Sequence, residues 1–272
     1  MTTSRRPLCL VTGASAGLGA ALSREFAAHG WDLALTARRM DRLQTLAEEL
    51  KAAHGCDVLV IPADLAQPGA CDAILAAVAA RGRVVSGLVN NAGYGLSGRF
   101  AKVAWADQAA MLQVMLTAVV EMSHKVLPGM TERGFGRILN VASLAGMMPA
   151  SPGESLYTPI KAFLVRFSQT LHLETLDTGV QVSALCPGFT VTEFHDVNGS
   201  RAKITKVTPR WLWLDAESVA RQGYAALEAN RPVCVTGAPN RAIAVLARLM
   251  PENLALSLAA WSSRKIGRSR QA

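Results

Sequence analysis

A tyrosine and a lysine lie four residues apart in the stretch Tyr157-Thr158-Pro159-Ile160-Lys161. Residues at positions i and i+4 share one face of a helix, so the phenol and the ammonium are expected to lie side by side. A nearby cation stabilises a phenolate, and Lys161 is therefore expected to lower the pKa of Tyr157 from about 10 towards neutrality. A tyrosine with such a pKa can act as a general acid or base. Pro159 lacks an amide hydrogen and fits best in a first helical turn, which places Tyr157 near the start of the helix.

Two further polar groups follow apolar, strand-like runs. Ser143 comes directly after the run Arg137–Ala142, and Asn90-Asn91-Ala92-Gly93 closes the run Gly87–Asn90. Open α/β sheets bind their ligands at the carboxyl ends of strands, so the Ser143 hydroxyl is placed to hydrogen-bond a substrate carbonyl. Taken alone, each feature is equally typical of a turn or a helix cap. Their shared position at strand ends is what indicates a site.

A glycine-rich loop, Val11-Thr12-Gly13-Ala14-Ser15-Ala16-Gly17-Leu18-Gly19, follows the first strand and opens the first helix. Gly13 allows a tight turn, and Gly17 lets the backbone approach a diphosphate at the positive end of the helix. Gly19 permits close packing of the helix on the sheet. An ordinary strand–helix turn needs only one or two of these glycines, so the loop predicts dinucleotide binding.

The second strand bears on the adenosine end of the dinucleotide. The run Leu33–Thr36 leads into Ala37-Arg38-Arg39, and no acid follows until Asp41. A carboxylate here would bind the ribose 2′-hydroxyl of NAD, whereas an arginine binds a 2′-phosphate. We therefore predict NADP(H) in preference to NAD(H), with Arg38 as the leading contact and Arg39 as the second. The alternative is that both arginines simply face solvent.

Short apolar runs alternate with amphipathic stretches along the chain, which predicts a doubly wound parallel sheet with helices on both faces. The predicted strands are Leu8–Thr12, Leu33–Thr36, Val58–Ile61, Gly87–Asn90, Arg137–Ala142 and Val180–Leu185, with Arg231–Thr236 as a candidate seventh. The predicted helices are Leu18–His29, Asp41–His54, Gly69–Ala80, Trp105–Arg133, Glu154–Thr178, Ala216–Ala229 and Asn240–Leu256, the last broken at Pro251. We expect one domain over residues 1–272, with irregular, substrate-covering segments after about residue 190.

Composition narrows the class of protein. Half of the 272 residues are hydrophobic and 18% are charged, which excludes a disordered chain. The net charge of +8 is compatible with solvated basic termini, an anionic lipid surface, a nucleic acid or a phosphorylated small molecule. No basic helix suited to a nucleic-acid groove is evident, so we predict no nucleic-acid partner.

The five cysteines form no CxxC pair, and neither a metal site nor a disulfide framework is expected. We see no signal peptide and no apolar run of about 18 residues, which predicts a cytoplasmic protein without a transmembrane segment.

Taken together, these motifs resemble the short-chain dehydrogenase/reductase family of single-domain, Rossmann-type enzymes. The resemblance covers about residues 7–195. It rests on the glycine-rich loop, Asp64 after the third strand, Asn90-Asn91-Ala92-Gly93, Ser143, Tyr157-xxx-Lys161, and Pro187-Gly188 with Thr190 and Thr192.

The resemblance implies an NADP(H)-dependent oxidoreductase that reduces a ketone or aldehyde to an alcohol, or catalyses the reverse. Tyr157 would transfer the proton, Lys161 would hold the nicotinamide ribose, and Ser143 would position the substrate oxygen. Asp64 would contact the adenine region, Asn91 would lie beside the adenine ribose, and Pro187–Thr192 would hold the nicotinamide amide. The implied cofactor-binding residues are Thr12, Gly13, Ser15, Ala16, Gly17, Leu18, Gly19, Arg38, Arg39, Asp64, Leu65, Asn91, Ala92, Gly93, Tyr157, Lys161, Pro187, Gly188, Thr190 and Thr192.

The family also implies a sheet order of 3-2-1-4-5-6-7 and a homodimer or homotetramer built through the helices after strands four and five. The first of those helices is apolar nearly all round, which indicates burial on more than one side. Besides the sheet, it would meet another subunit, the neighbouring helix or the chain's own C-terminal segment.

One position departs from the family pattern. The family usually has an asparagine where this chain has Met115, and that side chain helps to hold a water that links the catalytic lysine to solvent. Three interpretations stay open: a relay without the side chain, a slow enzyme, or a non-catalytic NADP-binding regulatory or scaffold protein.

The substrate pocket is expected to be apolar. An equally good interpretation of the methionines among its candidate residues is that they fill the core. The candidates for its wall are Tyr94, Leu96, Met147, Met148, Pro149, Pro152 and Phe189.

Overall fold

A computed structural model describes residues 5–150, 153–193 and 208–266. Seven parallel strands form one sheet in the order β3-β2-β1-β4-β5-β6-β9. Its strands are β1 (Leu8–Thr12), β2 (Asp32–Ala37), β3 (Val58–Pro62), β4 (Val85–Asn90), β5 (Gly136–Val141), β6 (Val180–Cys186) and β9 (Val233–Val235). Because β9 takes the seventh place, the predicted order and the Rossmann-type fold are both confirmed.

Helices cover both faces of this sheet. One face carries α1 (Gly17–Ala28), α2 (Met40–His54) and α7 (Ala216–Glu228), and the other carries α3 (Ala70–Ala79), α4 (Trp105–Leu112), α5 (Ala118–Glu132) and α6 (Tyr157–Glu174). The helices α8 (Ala238–Leu249) and α9 (Glu252–Ile266) follow the last strand. The strands are apolar on both sides because each face is covered by helices.

The helical stretch Trp105–Glu132 is long and apolar enough to cross a membrane by length and composition alone. In the structure it lies on the sheet and contributes Met111, Met115 and Met122 to the buried core. A buried core helix passes the same test of length and composition. It contains no uninterrupted apolar run of about 18 residues, because polar residues such as Gln113 interrupt it.

Several elements differ from the sequence prediction. The strands β7 (Thr190–Val191) and β8 (Leu214–Asp215) form a separate parallel pair. No apolar run predicts them, because each has only two residues. The predicted helix Glu154–Thr178 begins at Tyr157 and ends at Glu174, so Tyr157 is its first residue, as Pro159 requires. Pro152 lies outside the described residues.

A buried polar network joins the carboxyl ends of the central strands. Asn90 Nδ2 donates to Asn140 Oδ1 at 2.8 Å and to Ser123 Oγ at 3.2 Å, and Asn140 Nδ2 donates to Ser168 Oγ at 2.9 Å. The network ties β4 and β5 to α5 and α6. It therefore fixes the ends of the strands from which the candidate site projects.

Candidate active site

A cavity of about 1290 Å³ runs along the carboxyl edge of the sheet. It extends from the N-terminus of α1, past the end of β2, to the start of α6. Every residue that we predicted for the site lines this cavity except Thr12. Residues from distant parts of the sequence meet here because parallel strands present their carboxyl ends at one edge.

The glycine-rich loop wraps the N-terminus of α1. Gly13 has φ +67°, a left-handed conformation that favours glycine, and a Cβ at Gly19 would lie 2.3 Å from the Gly13 carbonyl oxygen. No side chain caps the N-terminus of α1, and its first turn carries no acid. The free N–H groups and the helix dipole therefore face the cavity, which suits an anion.

Replacing Gly19 by alanine is expected to lower the free energy of unfolding by about 1–3 kcal/mol, because a backbone carbonyl cannot yield as a flexible side chain can. The same distortion of the loop is expected to weaken NADPH binding at least about tenfold. Thermal denaturation and a fluorescence titration measure the two effects. The matched control is Gly129→Ala in α5, whose Cβ would meet mainly the flexible end of Arg133 and which should be neutral or stabilising. Equal behaviour of the two variants would contradict the packing argument.

Thr12 and Asn91 hold the glycine-rich loop in place through hydrogen bonds. The Thr12 side chain is buried; its Oγ1 accepts hydrogen bonds from the Asn91 and Ala92 N–H groups at 2.9 and 3.1 Å and donates to the Val89 carbonyl. Asn91 Nδ2 donates to the carbonyls of Thr12 and Gly13 at 2.9 and 3.2 Å. Thr12 therefore does not line the cavity, and its role in cofactor binding stays a prediction. Asn91 reaches the cavity, but its amide hydrogens hold β1 to β4.

At the end of β2, the two arginines have different surroundings. Arg38 is exposed, lines the cavity and has no ion-pair partner among the described residues. Arg39 donates to Ser15 Oγ at 3.2 Å and to Glu193 Oε2 at 3.2 Å, while Arg42 donates to Glu193 Oε1 at 2.6 Å. These two arginines hold the pKa of Glu193 below its usual range. Of the two, Arg38 is thus the one that no carboxylate of the described residues engages, and its contact with a 2′-phosphate stays a prediction.

Sequence reasoning missed Glu193, because no motif connects it to the arginines about 150 positions earlier. It also missed Thr36, whose buried Oγ1 has no hydrogen-bond partner among the described residues and whose residue lines the cavity. Asn240 was missed as well: it is buried, borders the cavity and donates from Nδ2 to the Thr236 carbonyl at 2.9 Å. Their positions depend on contacts that join remote segments.

Ser143, Tyr157 and Lys161 converge at the other end of the cavity. Ser143 follows β5 and caps a short helical turn, accepting from the Ala145 N–H at 3.1 Å, and it also hydrogen-bonds the Tyr157 phenol. Lys161 is buried; its Nζ donates to the Val141 carbonyl at 2.7 Å and lies 5.7 Å from the centre of the Tyr157 ring. One helical turn of α6 and the end of β5 thus bring the three groups together.

The expected lowering of the Tyr157 pKa is not found. Burial raises the pKa of Tyr157 to about 12, and the hydrogen bond with Ser143 offsets this only in part. Burial also lowers the pKa of Lys161 to about 8. The prediction was wrong because it counted the charge of Lys161 and left out the cost of removing the phenolate from water. The phenol is therefore protonated at neutral pH, when the lysine is still mostly charged.

Met115 lies in a single π-helical turn, Gln113–Thr117, between α4 and α5. It is buried, its sulfur accepts a hydrogen bond from the Tyr94 N–H at 3.5 Å, and it packs against Gly93. Met115 does not line the cavity, whereas its neighbour Val114 does. The methionine therefore supports the loop after β4.

Among the described residues, the apolar wall of the cavity matches the predicted residues with one exception. Met147 packs in the core beside α6 instead of lining the cavity, because it belongs to the helical turn that follows Ser143. The cavity gains Leu212 and Ile243 from the segments after β7, which the sequence placed only as irregular cover. The predicted residues that line the wall are Tyr94, Leu96, Met148, Pro149 and Phe189.

This arrangement defines a class: a doubly wound α/β protein with tyrosine, lysine and serine side chains at the carboxyl edge of its sheet. The family model for short chain dehydrogenases matches residues 7–202. The chain therefore belongs to the short-chain dehydrogenase family and is an oxidoreductase of that family.

Three similar proteins illustrate the family. Sulfoacetaldehyde reductase of Chromohalobacter salexigens is 38% identical over 218 residues, which are 79% of this chain and 85% of that protein. The NADP-dependent 3-hydroxy acid dehydrogenase YdfG of Escherichia coli K12 is 35% identical over 217 residues, 78% of this chain and 86% of that protein. The solved structure of a short-chain dehydrogenase from Sphingobium yanoikuyae in complex with NADPH has a TM-score of 0.77 and 30% identity, and the match covers 88% of this chain and 92% of that one.

Proposed function

We propose that this protein is an NADP(H)-dependent reductase that converts a ketone or aldehyde with an apolar body into an alcohol, with Tyr157 as the general acid. The observation that carries the proposal is a single cavity that joins the N-terminus of α1 and Arg38 to Tyr157, Lys161 and Ser143. The relatives support a reductase that uses NADP(H), since one is named as a sulfoacetaldehyde reductase, one as NADP-dependent, and one was solved with NADPH.

The residues present fit a phosphorylated dinucleotide. The uncapped N-terminus of α1 suits the diphosphate, and the crowded Gly19 shows that the loop tolerates no side chain there. Arg38 suits a 2′-phosphate, and the unpartnered Thr36 hydroxyl at the end of β2 offers one more polar group at that end of the cavity. When bound, NADPH supplies the hydride.

The chain's own residues then handle the proton. The Ser143 hydroxyl and the Tyr157 phenol orient the substrate oxygen from one side. The phenol donates its proton to that oxygen, and its raised pKa keeps the proton in place until the oxygen gains charge. The Lys161 ammonium, held by the Val141 carbonyl, stabilises the phenolate that results. The apolar wall of Leu96, Met148 and Phe189 suits an uncharged substrate body.

A pH profile tests the role of Lys161. Its pKa of about 8 means that its charge is present at neutral pH and is lost as the pH rises through that value. We expect kcat/KM for reduction to be level from about pH 6 to 7 and to fall about tenfold per pH unit above about 8. In Lys161→Arg the guanidinium stays charged, so any remaining activity should lack this alkaline decline. A wild-type profile that stays level to about pH 9.5 would contradict the assignment.

The alternative, a non-catalytic NADP-binding protein, rests on Met115, and Met115→Asn tests it. Because Met115 is buried against Gly93 and Tyr94, the asparagine should lower the free energy of unfolding by about 1–3 kcal/mol and leave kcat within about threefold. Steady-state kinetics and thermal denaturation give both values. The matched control is Met111→Asn, equally buried one turn earlier. A silent wild type that binds NADPH and gains turnover with asparagine would instead favour the alternative.

A further inference from the structure

We propose that helices α8 and α9 form an amphipathic surface that docks on anionic lipid bilayers. The surface comprises the exposed apolar side chains of these two helices together with Arg241 and Arg248, and we call it the docking face. Neither the family nor the reductase chemistry requires it, and it is independent of the proposed function.

The first observation is the spacing of exposed apolar residues on α8. Val245, Leu246 and Leu249 are 60%, 63% and 75% exposed, and Leu249 lies four and three residues after the other two. On the opposite side of the helix, Asn240 and Ala244 are buried. The helix thus has one buried side against the protein and an apolar stripe that faces outward.

The second observation is that α9 repeats this pattern. Leu254, Leu258 and Trp261 are 51%, 45% and 55% exposed and occupy positions i, i+4 and i+7, while Ala255 is buried. Tryptophan is typical of the boundary between water and lipid, where its ring is apolar and its N–H remains hydrated. Large exposed apolar patches of this kind mark interaction surfaces.

The third observation is charge. From Ala229 onwards the sequence has seven lysines and arginines and one acid, Glu252, whereas residues 1–228 have 21 basic and 19 acidic residues. Arg241 and Arg248 are exposed on α8, one turn or less from Val245. Six of the eight net positive charges therefore belong to the part of the chain that carries the docking face.

The positive charge near the docking face distinguishes among its three candidate partners. A second copy of the chain would bring the same arginines together, and like charges oppose association. A nucleic acid would match the charge but would leave the exposed leucines of α8 and α9 in water. An anionic bilayer satisfies both, because the apolar side chains enter the acyl boundary while the arginines contact the headgroups.

The helix α8, which carries part of the docking face on its outer side, also borders the cavity. Asn240 and Ile243 of α8 line the cavity from the inner side of the helix that carries the outward stripe. Since a helix is about 10–12 Å across, docking would place the bilayer about one helix diameter from the cavity wall. Apolar molecules that partition into the bilayer would then be concentrated beside it.

Co-sedimentation of the full chain with vesicles tests the proposal. We expect binding to vesicles of one part phosphatidylglycerol to two parts phosphatidylcholine at about 0.05 M ionic strength, and at least tenfold weaker partitioning at about 0.5 M. Vesicles of phosphatidylcholine alone should bind at least about tenfold less. Equal partitioning onto both kinds of vesicle, or no binding to the anionic ones, would overturn the proposal.

Paired variants separate the apolar and electrostatic contributions. Leu246→Asp combined with Leu249→Asp should reduce partitioning at least about tenfold. The matched control, Leu173→Asp with Leu176→Asp, alters leucines that are 66% and 54% exposed elsewhere and should bind like the wild type. Arg241→Gln with Arg248→Gln should weaken binding and flatten its salt dependence without burying any new charge.

Analytical ultracentrifugation of the same variants tests whether a second copy of the chain, and not a bilayer, covers the docking face. If the wild type self-associates, binds no vesicles and dissociates in the leucine variant, the docking face is an interface between copies and the proposal fails. Since none of these readouts uses turnover, a failure here leaves the proposed reductase function untouched.

Discussion

Tyr157→Phe is expected to lower kcat for carbonyl reduction by about 1000-fold and to leave NADPH affinity within about threefold. The substitution removes the phenol hydroxyl that hydrogen-bonds Ser143 and keeps the aromatic ring. Proton donation then falls to water or to the Ser143 hydroxyl, neither of which is a comparable acid in this geometry. NADPH consumption with a panel of aldehydes and ketones gives kcat, and fluorescence titration gives the affinity.

Tyr94→Phe is the matched control for this result. Tyr94 lines the same cavity, and burial likewise raises its pKa. Unlike Tyr157, it lies on the loop after β4 and does not share α6 with Lys161. Its loss should change kcat less than about fivefold. A Tyr157→Phe enzyme with wild-type turnover would refute the assignment of the general acid.

Arg38→Asp is expected to lower the preference for NADPH over NADH, expressed as the ratio of kcat/KM values, at least about 100-fold. The wild-type arginine offers a charge-assisted contact to a 2′-phosphate. The aspartate repels that group and can instead accept a hydrogen bond from a ribose 2′-hydroxyl. Both terms act in the same direction, so the ratio is a more sensitive readout than either rate alone.

Two controls define the effect of Arg38. Arg39→Gln should shift the ratio less, because Arg39 already bonds Ser15 and Glu193. Arg81→Asp, an exposed arginine after α3, makes the same change of charge away from the cavity and should leave the ratio unchanged. If Arg38→Asp also leaves the ratio unchanged, the alternative that Arg38 only faces solvent is correct.

The homo-oligomeric state and the cytoplasmic location stay predictions.

Much of the fold was predictable from local patterns in the sequence. Short runs of valine, isoleucine and leucine marked the strands of the main sheet to within one or two residues, because a strand covered on both faces has no polar side. The spacing of glycines after β1 and of Tyr157 and Lys161 on α6 also needed only local geometry. The pair β7–β8 was not predicted, because strands of two residues are too short to show a periodic pattern in the sequence.

Other features were decided by the tertiary structure. The pKa of Tyr157 depends on how completely its surroundings exclude water, and that is a property of packing between β5, α6 and the loops above them. The ion pair between Glu193 and Arg39, the inward position of Met147 and the structural role of Thr12 likewise arise between segments that are remote along the chain. Sequence determined which groups are present and their local spacing. The three-dimensional packing determined their burial and partners, because both the solvation free energy and the electrostatic interactions of a group depend on everything around it and not only on its neighbours in the chain.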